Sequence, residues 1–262
     1  MLLSNHWVKL AYKILITRLS INSCNEPYSC ESINIYPYNT YVNYKLTLDE
    51  WNYVNKYLYD NTNYKMSIIS IEKMSSPKYN YYISVNMYNY INSLNKNKLI
   101  TRCEVKTYVK NEKGVYGNLI MDYVVNDIKC ELNINKCCQN IDNTLSEKEY
   151  LYASSICPKC EYGNLKSNID MRANSNIFDF KLNYNEYVND IKFNLNRYFI
   201  DFMDNIFNYD GIYKKIYYDT SLTRGDVRKI KKYNVSFKFK DLVFKEPDSI
   251  FYFKNKINLL LE

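Results

Sequence analysis

The stretch Arg102–Val125 constrains the fold more than any other part of the chain. Arg102 to Val109 and Val115 to Val125 are two runs rich in β-branched and aromatic residues, separated by a polar segment that ends at Gly114. Such runs around a short polar segment with glycine form an antiparallel hairpin. With the loop centred on 111–113, the register sets Val105 opposite Met121 and Cys103 opposite Tyr123 on one face. Glu104 then meets Asp122 on the other face. Residues two apart share a face of a strand, so Arg102 and Lys106 join the two carboxylates.

The rest of the chain is placed around this hairpin. Leu3, Trp7, Leu10 and Ile14 recur at helical spacing, which predicts an amphipathic helix within residues 1–20. Thr47 and Glu50 have the spacing of a capping box, and Leu48, Trp51, Val54 and Leu58 form one apolar face, so a helix is expected over about 48–59. Lys65 to Met74 reads as a strand. Tyr81 to Tyr88 alternates, with Tyr81, Ile83, Val85 and Met87 on one face and Tyr82, Ser84, Asn86 and Tyr88 on the other. Val188, Ile191, Leu195, Phe199, Phe202 and Ile206 predict a long helix over 186–207, whose β-branched and aromatic residues also suit a strand. In the tail, Val235, Phe237 and Phe239 alternate with Ser236, Lys238 and Lys240. The expected architecture is one α+β domain over 1–262, a mostly antiparallel β-sheet with its core at 65–125 and helices packed on one side.

Composition bounds the function. A chain of 262 residues with 47% hydrophobic content can bury a sizeable core. It holds 30 tyrosines against 5 glycines and 5 prolines, a bias that AT-rich codons produce, as in the genomes of large DNA viruses, some intracellular parasites or plasmids. The excess of Tyr and Lys is therefore discounted as a sign of chemistry. No apolar run approaches the ~18 residues that span a bilayer, and no secretory signal opens the chain. An intracellular, cytoplasmic protein with reduced thiols is expected, with no integral membrane association. A mitochondrial presequence is the alternative, since no acidic residue precedes Glu26. His6 is the only histidine, which excludes any mechanism that needs a histidine pair.

The first chemical candidate is the set Glu104, Asp122, Lys106 and Arg102. Two carboxylates facing each other across a ladder at about 5 Å raise one pKa, and adjacent cations suit an anionic or carbonyl substrate. The order helix, strand, strand, then a hairpin whose first strand carries a glutamate resembles the acetoacetate decarboxylase-like family over roughly Thr47 to Val125. Glu104 stands at the place of that family's first-strand glutamate. The resemblance implies a small-molecule pocket and an amine-forming lysine whose pKa is lowered by burial. The chain departs from the family after the hairpin. The Gly-Arg-Glu and Gly-Phe-Pro-Lys motifs would follow there, yet residues 126–140 contain no Gly, Arg or Pro, and Lys129 and Lys136 stand outside any such motif.

Two other constellations carry alternatives. Cys157-Pro-Lys-Cys160 has the spacing of half a zinc site, so zinc is the one metal the chain suggests. The basic stretch holding Lys214, Lys215, Arg224, Arg228, Lys229, Lys231 and Lys232, interleaved with Tyr213, Tyr217, Tyr218 and Tyr233, suits single-stranded nucleic acid. A structural or interaction protein that uses its tyrosines as contact area is the third class. No Gly-rich phosphate loop and no nucleophile elbow is present, which argues against P-loop and dinucleotide enzymes.

Overall fold

In the computed structural model the chain divides into two units, Met1–Cys30 and Glu31–Glu262. The residues described are 31–61, 67–69, 71–73, 76–92, 100–125, 151–154, 168–185, 191–192, 205–207, 213–218, 227–254 and 257–261. The helix expected in 1–20 lies outside them, as do Cys157, Cys160 and Arg224.

Strands β1 (Glu31–Ile35) and β2 (Asn39–Lys45) lead into α1 (Leu48–Asn61). The short strands β3 (Ser67–Ile68), β4 (Ile71–Lys73) and β5 (Ser76–Asn80) follow, then the long β6 (Tyr82–Asn92), β7 (Ile100–Lys110) and β8 (Tyr116–Val125). Next come β9 (Leu151–Ser154), β10 (Asn168–Asn174), β11 (Phe178–Asn185), β12 (Ile191–Lys192), β13 (Asn205–Phe207) and β14 (Tyr213–Tyr218). The tail supplies β15 (Val227–Lys229), β16 (Tyr233–Phe239), β17 (Leu242–Phe244), β18 (Ser249–Phe253) and β19 (Ile257–Leu261).

Twelve of these strands make one sheet, and its pairings close on themselves: β6, β1, β19, β14, β13, β8 and β7 form a ring that returns to β6. The remaining members continue ring strands rather than branch from them. Ile35 pairs with Ile257 and Asn39 with Phe253, so both strands advance four residues between the two pairings. Likewise β1 and β2 lie along the same edge of β6. The bend between them falls at Tyr38, which has a left-handed φ of 70°, an unfavourable conformation for a bulky residue. Its amide donates to the Phe253 carbonyl at 2.8 Å and its carbonyl accepts from Thr40 Oγ1, so the bend is held from both sides.

A second sheet, in the order β17-β16-β11-β10-β9, packs on the ring. Its inward residues Phe178, Phe180, Leu182, Phe237 and Phe239 share one core with Val85, Met87, Val105 and Met121 of the ring and with Val54 and Leu58 of α1. A barrel of about eight strands has room inside for side chains or one small ligand, and not for a second sheet. The second sheet therefore covers the outer face of the ring, and the opposite face, which carries Glu104, is the inner one.

The helix begins as the capping box predicts. Thr47 N donates to Glu50 Oε2 at 2.7 Å and Glu50 N to Thr47 Oγ1 at 3.3 Å. Val54 and Leu58 are buried, while Leu48 at the first turn is exposed. Two expectations are corrected. Among the described residues one helix packs on the sheet, and it is a second sheet that covers the core; the alternation in β11 and β16 has the period of strands and not of helices. The described residues of the expected long helix 186–207, namely Ile191–Lys192 and Asn205–Phe207, are strands. Ile206 and Phe207 are buried there, a place that β-branched and aromatic side chains fill well.

The ring closes at β8 and β13 through a parallel pairing of two residues, Ile206 with Asn118 and Phe207 with Leu119. Gly117 sits at this seam, and a Cβ on it would lie 2.6 Å from the Asn205 carbonyl oxygen and 2.7 Å from the Phe207 ring. Backbone cannot yield as a side chain can, so Gly117→Ala is expected to destabilise the protein by about 2 kcal/mol. A urea denaturation midpoint unchanged from wild type would show that the seam tolerates a methyl group.

Candidate functional site

Strand β7 places the site. Arg102, Glu104 and Lys106 alternate with Cys103, Val105 and Thr107, so all three charged side chains point into the ring while Cys103 and Val105 enter the apolar core. Arg102 is 0%, Glu104 4% and Lys106 7% exposed. Arg102 Nε donates to Glu104 Oε1 at 2.5 Å, and Tyr88 Oη donates to the same oxygen at 2.8 Å. Lys106 Nζ stands 3.6 Å from Glu104 Oε2 and donates to Asn86 Oδ1 at 3.2 Å. Aromatic faces complete the surroundings, with the Arg102 guanidinium 4.1 Å from the Tyr123 ring centroid and Lys106 Nζ 4.7 Å from that of Tyr41. Tyr41 in turn stacks on Phe251 at 5.2 Å.

Burial acts on each ionisable group and the neighbours decide the outcome. For Glu104, burial alone would push the carboxyl up, but Arg102 and Lys106 outweigh it and hold it below its ordinary value. For Lys106, burial wins: the amine falls below the usual lysine value although Glu104 pulls the other way. Tyr88 is pushed well up by burial and by the Glu104 charge, so its hydroxyl stays a donor. Arg102 and Glu104 balance each other, and Lys106 adds a second positive charge only while its amine is protonated.

The expected meeting of Glu104 and Asp122 does not occur, and a bulge is the reason. From Lys110↔Tyr116 to Lys106↔Ile120 the ladder has the expected register. The register then shifts between Val105 and Lys106, so that Val105 faces Asp122 and Glu104 faces Tyr123. One extra residue in β8 sends every later side chain to the other face. Asp122 thus points outward into the core between the sheets, where the Ser175 hydroxyl donates to its Oδ2. Ser175 is held for this by the amides of Ile177 and Phe178, which donate to its Oγ. Burial raises the Asp122 carboxyl to about 6, against the pull of Ser175 and the Tyr123 amide.

Arg102, Glu104 and Lys106 therefore come together, and Asp122 is separated from them. The described part of the basic stretch lies on the ring sheet and in the connection that leads out of it. Arg228 and Lys229 are successive residues of β15 in the ring sheet and point to opposite faces, Lys231 and Lys232 are exposed in the connection, and Lys214 and Lys215 belong to β14. The described residues Tyr88, Asn86, Asn39 and Tyr41 are partners of the site that the sequence did not single out. The signal for Asn86 and Tyr88 was the polar face of the alternating run Tyr82, Ser84, Asn86 and Tyr88, opposite an apolar face of Ile83, Val85 and Met87.

No protein-family model matches the chain, and no curated protein matches it. Among solved structures, the chain is similar to an acetoacetate decarboxylase-like enzyme from Sphingomonas wittichii RW1, with 8% identity, a TM-score of 0.46, and 90% of this chain and 91% of that one covered. The likeness is to the family that the order of elements resembles. Among the described residues no helix is long and apolar enough to cross a membrane.

Proposed function

We propose that the barrel interior binds a small carbonyl compound bearing a carboxylate, and that Lys106 is the amine that engages the carbonyl. The observation that carries this reading is a lysine amine held inside the ring beside Arg102 and Glu104, with its proton affinity lowered by burial. An ionisable cluster of this kind is costly to bury and is a common mark of a functional site. A lowered amine pKa supplies the neutral nucleophile that imine formation needs. The Arg102 guanidinium, which stays charged when the amine is neutral, suits a substrate carboxylate. Lys106 is the member of the cluster nearest solvent, with 9% of its side chain exposed against 0% for Arg102 and 5% for Glu104. Glu104, held ionised, orients both cations and does not serve as an acid.

Nζ forms a double bond to the carbonyl carbon, and the carbonyl oxygen leaves as water with the two hydrogens of the neutral amine. Incubation with acetoacetate, the simplest β-keto acid, and borohydride is expected to leave a reduced adduct on the peptide containing Lys106, absent in Lys106→Met. Adducts spread over surface lysines with none on Lys106 would overturn the reading.

A further inference from the structure

We infer that Asn86 is a positioning residue that fixes the Lys106 amine for its reaction, an inference that rests on the reading of the site given above. The orientation of the Asn86 amide is set by chemistry alone. Its Nδ2 donates to Asn39 Oδ1 at 2.6 Å and to the Thr40 carbonyl at 3.0 Å. A backbone carbonyl only accepts, so the edge that faces Thr40 must be the NH2 and the edge that faces Lys106 must be the oxygen. The amide cannot flip without setting its oxygen against a carbonyl and its NH2 against the amine. Asn86 is 1% and Asn39 2% exposed, so water does not replace these bonds.

The consequence lies at Nζ. A neutral lysine amine has two N–H donors and one lone pair. Asn86 Oδ1 at 3.2 Å receives one donor, and the Glu104 carboxylate, 3.6 Å away, draws the second toward itself, which turns the lone pair to the carbonyl carbon. A neutral amide oxygen accepts from the charged and the neutral amine alike, whereas a second carboxylate in its place would hold the amine protonated. The other titratable groups of the inner face around Lys106, among the described residues, are Arg102, Glu104 and Tyr108 on β7, Tyr41 on β2, Tyr82, Tyr88 and Tyr90 on β6, Tyr123 on β8, and Lys229 on β15, whose partner Phe251 stacks on Tyr41.

The test is the pH profile of borohydride trapping at Lys106, read beside the titration of its Nζ by NMR in protein carrying 15N-lysine. Asn86→Leu is expected to slow trapping roughly 10- to 100-fold at alkaline pH, where the amine is neutral in every variant. Asn86→Asp is expected to move the midpoint of the Nζ titration up by about one unit or more. Asn39→Ala leaves Asn86 in place and removes one of its two anchors, and a smaller loss of rate is expected from it, so the inference stays testable if the buried charge of Asn86→Asp prevents folding. Asn86→Leu and Asn39→Ala trapping at the wild-type rate across the profile would overturn the inference while the reading of Lys106 stands. A wild type that is never trapped, with the Nζ titration still moved by Asn86→Asp, would instead overturn the carbonyl reading and leave Asn86 as the group that sets the amine's protonation.

Discussion

Glu104→Leu is expected to lower the stability of the protein by about 4 kcal/mol, the scale of breaking a buried ion pair from one side. The variant leaves Arg102 and Lys106 inside the ring without a counter-ion, and it removes the acceptor of the Tyr88 hydroxyl. Lys106 can shed its proton, since burial already favours that. Arg102 cannot, because guanidinium stays charged in proteins, so most of the loss falls on its desolvated charge. For a folded unit of this size the melting temperature should drop by roughly 8–16 °C. The double variant Arg102→Met with Glu104→Leu should recover most of the loss, because an apolar pair of similar volume replaces a charge pair at little net cost. Urea denaturation that finds the single variant within about 1 kcal/mol of wild type would mean that the carboxylate does not neutralise the cluster.

Asp122→Asn is expected to act in the opposite direction, and only near neutral pH. The Asp122 carboxyl is raised by burial from 3.8 to about 6, so the folded protein holds a proton there that the unfolded chain has released. Where the folded state binds more protons, stability falls as pH rises. The penalty therefore builds up between pH 4 and 6 and is complete above, and two pKa units correspond to about 3 kcal/mol at pH 7. Asparagine keeps the acceptor for Ser175 and carries no charge, so at pH 7 it should raise the melting temperature by roughly 6–12 °C and at pH 4 leave it nearly unchanged. Glu104 has the opposite sign: its pKa is lowered in the folded state, and its contribution is lost as pH falls through and below the ordinary carboxylate range. The acid limb thus reports Glu104 and the limb near pH 6 reports Asp122. An equal gain for Asp122→Asn at both pH values would rule out the titration of Asp122 as its source.

The same hairpin shows what the sequence made legible and what it did not. Alternation on β7 set Arg102, Glu104 and Lys106 on one face, and the expected register holds from the turn as far as Lys106 and Ile120. Beyond that a single extra residue near Met121 reversed the side on which Asp122 stands. A bulge of this kind leaves no mark in an apolar run such as Leu-Ile-Met-Asp-Tyr, since both faces of β8 are buried and neither demands polarity. The capping box was legible because it is a local hydrogen-bond exchange between Thr47 and Glu50. The strand Asn205–Phe207 was not, because Ile206 and Phe207 suit a buried strand as well as a helix face. Closure of the ring depends on pairings such as that of Asn118 with Ile206, far apart in the chain, and no short-range pattern encodes them.

That seam bears on the order in which the molecule assembles. Contacts between segments distant in sequence form late, because a long loop must be closed before they return any energy. Arg102 and Glu104 are two residues apart on one strand, and Lys106 is two further on. The charges can meet as soon as β7 is extended, while water still surrounds them. When the long-range pairings that close the ring, β8 with β13 and β1 with β19, shut the wall, they dehydrate partners that have already found one another and never a lone ion, which keeps the polar centre from becoming a barrier to folding.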